Sequence, residues 1–199
     1  MAVVSNGTTI IDAGALGSGV ATGKMILLAT QTASGSANLS FTSGIDSTYD
    51  SYVFKCIDIH PSASNPNFGF QVEVGTGTSY AQTITSTYFA GYQNEGGSTT
   101  GFGYISEQDQ AQGTGLQSLA DQIGNGNDES CAGVLHLFEP SSGTFVKHFT
   151  ARFQGYNGDD FSTDLQVAGY VNTTTALTRV QFKFSSGNID SGVIKMYGI

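Results

Sequence analysis

Tryptophan is absent from this chain, proline occurs three times, cysteine twice, and Lys and Arg together seven times in 199 residues. Each shortage excludes something. Two cysteines cannot build the dense disulfide framework of a small secreted domain, so Cys56 and Cys131 read as buried, reduced core residues. Sixteen Asp and Glu against seven cations leave a net charge of -9, a field that repels phosphate backbones and anionic lipid headgroups. Nucleic acid is therefore not an expected partner. Membrane insertion is not expected either: Met25 to Ala29 (MILLA) is far too short to cross a bilayer, and residues 1–24 lack the basic start and apolar stretch of a signal peptide. Without Trp, the commonest large platform for sugar rings is missing.

What is present is Gly, Ser and Thr, which fill 71 positions, together with 11% aromatic residues. That aromatic content belongs to a folded chain, not to a Gly/Ser linker. Period-two alternation dominates from residue 25 onward. Phe145, Lys147, Phe149, Ala151 and Phe153 share one side of a strand, with Val146, His148, Thr150 and Arg152 on the other. Val180, Phe182 and Phe184 likewise share a side, as do Phe68, Phe70, Val72 and Val74, interleaved with polar residues or Gly. These patterns predict strands buried on one face. Further strands are predicted at 25–32, 36–42, 51–59, 82–90, 99–105, 131–139, 163–172 and 191–198, each bounded by Gly, Ser, Asn or Asp. One short helical turn is expected within Gln108 to Ile123. The pattern predicts an all-β chain: a two-sheet, jelly-roll-like β-sandwich over 25–199, with an extended N-terminal arm over 1–24.

The search for chemistry finds no local signature. Gly17 to Lys24 (GSGVATGK) has five residues between its glycines, Met25 where a phosphate loop needs Ser or Thr, and a strand following. No Gly-x-Ser-x-Gly is present, and His60, His136 and His148 lie at strand or strand-end positions, with His136 expected in the core or on a sheet face. No zinc spacing occurs. The oxygen-rich stretches 124–129 (GNGNDE) and 156–164 (YNGDDFSTD) read as tight turns in preference to calcium loops, and Asp159 and Asp160 read as turn residues. Asn6, Asn38 and Asn172 match a glycosylation pattern that a Ser/Thr-rich chain produces by chance. No catalytic residue, metal or cofactor is expected, and the chain does not read as an enzyme.

Two segments stand apart from the predicted sandwich. The arm is too small and too rich in Gly to form a core and reads as a docking segment, with Thr9, Ile10, Ile11 and Leu16 as its contact residues. Residues 91–130 hold nine Gly and six carboxylates but no Lys or Arg. An excursion of this length is either a binding surface or a solvated connection between sheet edges. Its candidate contact residues are Tyr92, Asn94, Phe102, Tyr104, Asn125, Asn127 and Asp128.

Three stretches carry a resemblance: LLATQTASGSANLSFTSGIDSTYDSYVFKCIDIHPSASNPNFGFQVEV from Leu28, AQGTGLQSLADQIGNGND in the middle, and GYVNTTTALTRVQFKFSSGNIDSGVIKMYGI from Gly169. They resemble structural proteins of tailed bacteriophages, marine and cyanobacterial ones in particular, and the ending SSGNIDSGVIKMYGI is the most distinctive part. The resemblance implies a jelly-roll-like module displayed on the virion surface, in a tail fibre or other host-contact component. It further implies attachment through the arm, other tail or capsid proteins as partners, a homotrimeric state and a host-surface glycan as a candidate contact. A capsid decoration protein is the alternative; a carbohydrate-binding module and a polysaccharide-degrading enzyme rank lower.

Overall fold

The computed structural model describes residues 2–12, 15–16 and 25–199. Among them the chain is all-β, with no helix. In chain order the strands are β1 (Val3–Ser5), β2 (Thr8–Asp12), β3 (Ala15–Leu16), β4 (Ile26–Thr32), β5 (Leu39–Phe41), β6 (Ser51–Pro61), β7 (Phe68–Val74) and β8 (Ile84–Asn94). They continue with β9 (Thr100–Tyr104), β10 (Ala111–Gly113), β11 (Gln117–Ala120), β12 (Cys131–Phe138), β13 (Lys147–Tyr156), β14 (Phe161–Val171), β15 (Leu177–Phe184) and β16 (Ile189–Gly198).

Nine strands form one sheet in the order β10-β8-β14-β13-β12-β6-β16-β4, with β9 also paired to β8. Four form a second, β11-β7-β15-β5, and all pairings are antiparallel. The two sheets pack as a β-sandwich. Its pairs are nested: β6 with β16, β7 with β15, β8 with β14, and β12 with β13 innermost. This is the pattern of one long hairpin rolled up, as in a jelly roll. It departs from an even division because the innermost pair stays in the large sheet, which accounts for the nine-to-four split.

The core follows from the alternation. In β13, Phe149, Ala151 and Phe153 are buried while His148, Thr150, Arg152 and Gln154 face outward. Phe182 of β15 is the hub between the sheets, with ring centroids 6.2 Å from Phe41, 5.4 Å from Phe54, 6.0 Å from Phe68 and 6.4 Å from Phe70. Phe70 in turn meets Phe149 edge-on at 5.1 Å. Gly133 pairs with Phe153 across β12 and β13, and a Cβ at position 133 would lie 2.4 Å from that ring. Only glycine leaves room for the ring there. Cys56 and Cys131 are free and buried.

Four expectations need correction. Phe145 is 71% exposed and lies before β13 begins, so the buried side of that strand starts at Lys147. Strand β7 is not buried on one face only: Gln71 and Glu73, on its outer face, are buried as well. Residues 75–83 and 114–115 cover them, because the Gln71 side chain donates to the Gln82, Thr114 and Gly115 carbonyls and Glu73 accepts from Ser79, Tyr80 and Gln82. Residues 108–123 form no helical turn but supply β10 and β11. Their Gln side chains bond across the sandwich edge, with Gln117 accepting from Ser86, which holds them extended. Finally, residues 91–130 are neither a bare loop nor a separate surface. They carry β9 and β10 on the edge of the large sheet and then β11 on the edge of the small one.

The predicted arm contains a small sheet of its own, β1-β2-β3. Asn6 and Gly7 link β1 to β2 with φ of 47° and 78°, as a two-residue type I′ hairpin turn requires. Val3, Val4 and Ile11 are exposed, and Thr9 and Ile10 half-buried. Leu16 pairs with Ile11 through the backbone, while its side chain and the arm's boundary at residue 24 lie outside the described residues.

Candidate functional site

Three surface features are built by the large sheet. The first is a pocket of about 250 Å³ at one end of the sandwich, where the ends of β8 and β14 meet residues 121–122. Tyr92 and Phe161 line it with rings 5.9 Å apart and inclined by 72°. Asp121 is half-buried beside them and accepts from the Tyr88 hydroxyl at 3.2 Å. Burial pushes the Asp121 carboxyl up, and the Tyr88 hydrogen bond only partly offsets this. Asn157 shapes the floor because its Oδ1 accepts from the Asp159 and Phe161 amides at 3.1 and 2.9 Å, closing the turn from β13 to β14. Asp159 and Asp160 lie in that turn, as the sequence predicts.

The second feature is a trough along the outer face of β8, β14, β13 and β12. One depression of about 410 Å³ is lined by Thr87, Phe89, Val134, His136, Arg152 and Gln166. Val134 and Arg152 carry it into a neighbour of about 500 Å³ that includes Gln154 and Asp164. Arg152 grips Asp164 through two bonds of 2.9 and 2.8 Å, which hold the Asp164 carboxyl below its ordinary range. Above the trough's edge, Phe102 is 69% exposed and stacks on Phe89 at 6.1 Å; Tyr104 meets Phe89 at 5.2 Å and donates to Asp109. His136, half-buried on this face, stacks on Phe138.

The third feature is an acidic cleft of about 550 Å³ reached through Gln154, lined by Asn94, Glu95, Asp128 and Tyr156 among others. The Tyr156 hydroxyl donates to Asp160 at 3.4 Å and is pushed up to about 12, first by the neighbouring Glu95 carboxylate, with burial and the charges of Asp160 and Asp128 adding. The structure thus divides the predicted contact residues among three places. Tyr92 faces the end pocket; Phe102 and Tyr104, on the other face of the same hairpin, form the aromatic patch; Asn94 and Asp128 meet in the acidic cleft. Asn125 and Asn127 are exposed in the turn before β12 and line none of the three.

Among the described residues, no group of three or more His, Cys, Asp or Glu is placed to hold a metal ion. The three histidines have different partners. His60 shares a 3.0 Å bond with the Gly126 carbonyl, His136 stacks on Phe138, and His148 packs against Tyr170. The arrangement of rings, amides and carboxylates suits binding. No protein-family model matches the chain, and neither does any curated protein.

Sequence reasoning missed Phe161 and Asp121 at the end pocket and Phe89 in the trough. Phe161 sits inside the oxygen-rich stretch 156–164, and its signal was the aromatic following the turn. Nothing local marks Asp121, because its role depends on Tyr88, 33 residues away.

Proposed function

We propose that this protein is a structural module on the surface of a tailed-phage particle, attached through residues 1–24 and presenting the sandwich outward. The observation that carries the reading is the separate β1-β2-β3 sheet, which offers Val3, Val4 and Ile11 to solvent as apolar docking residues. The resemblance of the chain's ending to phage structural proteins supports the same assignment. The aromatic patch of Phe89, Phe102 and Tyr104 fits a contact surface in a tail-fibre or other host-contact component. The module functions as a homotrimer, without catalysis.

Mass spectrometry and immunogold labelling of purified particles test this. Detection on the tail at low copy number supports the reading, and absence from purified particles overturns it. Labelling over the head, with a copy number that scales with the capsid, assigns the protein to capsid decoration instead. Deletion of residues 1–24 is expected to leave a folded sandwich that no longer incorporates into particles.

A further inference from the structure

We propose that the end pocket lined by Tyr92 and Phe161 binds an alkylated ammonium group, of the kind carried by choline. Two aromatic walls inclined by 72° with centroids 5.9 Å apart form a corner, and a soft, poorly hydrated cation is drawn to ring faces by their quadrupoles. The pocket of about 250 Å³ has room for one such group. Two carboxylates, Asp121 and Asp159, also line it, and no Lys or Arg does. Asp121 is half-buried and fixed by the Tyr88 hydroxyl. A carboxylate removed from water without a positive partner is costly, and a cationic ligand offsets that cost. The raised Asp121 pKa has the same origin.

The two carboxylates, with no cation among the lining residues, favour a cationic ligand over a neutral sugar. The Asn157 side-chain Oδ1 is occupied by the Asp159 and Phe161 amides, and the Thr163 hydroxyl donates to the Gly155 carbonyl at 3.1 Å. What remains is the pair of carboxylates, the side-chain NH2 groups of Gln122 and Asn157 and the Tyr92 hydroxyl, so the preference for an ammonium rests on the two negative charges beside the ring walls. The net charge of -9 favours the approach of cations from a distance.

The test is an NMR titration of the full chain with choline chloride and with its neutral isostere 3,3-dimethylbutan-1-ol, at matched ionic strength. Choline is expected to shift the Tyr92 and Phe161 ring resonances saturably, with the isostere binding at least about tenfold more weakly. Tyr92→Leu is expected to weaken choline binding about 5- to 30-fold. Asp121→Asn keeps an acceptor for Tyr88 and is expected to abolish the preference for choline over the isostere. Phosphatidylcholine vesicles distinguish the source: vesicle binding that free choline displaces assigns a lipid headgroup, and choline binding without vesicle binding assigns a soluble or saccharide-borne group. Equal affinity for choline and the isostere, no saturable shift, or tighter binding of glucose at the same rings would overturn the proposal.

Discussion

The Lys147 ammonium donates to the carbonyl oxygen of Phe145, two residues earlier, at 2.8 Å, while the Phe145 ring stands in solvent. A second bond, 3.1 Å to the Thr173 carbonyl, completes its environment. Lys147 is fully buried, and among the described residues no carboxylate forms an ion pair with it. Desolvation therefore holds its pKa below the ordinary lysine value of 10.5. The native state releases this proton before the unfolded state does, so the burial penalty is fully present at neutral pH and is relieved as pH rises toward 10.5. Lys147→Met is expected to change stability by no more than about 1 kcal/mol at neutral pH and to flatten this alkaline rise. Urea unfolding at neutral pH and at about pH 9 reads both effects.

Glu73 gives a pH dependence of the same sign at the acid end of the scale. Burial alone would raise its pKa, but bonds from the Ser79 hydroxyl, the Val74 and Tyr80 amides and the Gln82 amide lower it from 4.5 to about 2. The stabilisation is complete above 4.5 and is lost as pH falls from there through about 2. Glu73→Gln is expected to lower the Tm at neutral pH and to remove the acid sensitivity in that window. Wild type and variant should converge near the bottom of it. Thermal melts followed by circular dichroism across the acid range decide this.

Gly133→Ala places a methyl group against the Phe153 ring and the Arg152 carbonyl, at 2.4 and 2.5 Å before any relaxation. A destabilisation of about 1–3 kcal/mol is expected, as for other overpacked cores. Adding Phe153→Leu should cost less in the Gly133→Ala background than alone. A double-mutant cycle by chemical denaturation measures that coupling.

Cys56 and Cys131 are buried, and desolvation raises both thiols above their ordinary range, with Cys131 adding a small repulsion at Cys56. Neither is expected to react with a water-soluble disulfide reagent in the native state, while both should titrate in denaturant. Fast labelling of either one in buffer would reveal local opening of β6 or β12.

The sequence made the sandwich legible wherever the cover of a strand is the opposite sheet. The alternation of Phe149, Ala151 and Phe153, or of Val180, Phe182 and Phe184, reports burial directly because one face meets a core and the other meets water. It misleads at Gln71 and Glu73, where polar side chains look solvated but are roofed by residues up to 44 positions away. Phe145 misleads in the other direction, since the turn before β13 breaks the period. Tyr92, Asn94, Phe102, Tyr104 and Asp128 do lie at surface features. Their division among three sites depends on which way each faces from its strand, and on Phe161, Asp121 and Tyr156, which the excursion's composition gives no reason to choose.

The nesting of β6 with β16 places the last strand inside the large sheet, between β6 and β4. During synthesis, β12 and β13 can pair as soon as they emerge and β12 covers one edge of β6, but the other edge of β6 waits for β16, more than a hundred residues downstream. Until then the apolar inner faces of β6 and β4 have only part of their cover, and pairings this distant in sequence are slow to form. A nascent chain is thus most exposed to pairing with a neighbouring nascent copy in the interval before β16 arrives, and chaperone demand should peak there. Shortening that interval by circular permutation, with β16 placed directly before β4, would be expected to raise the yield of folded protein.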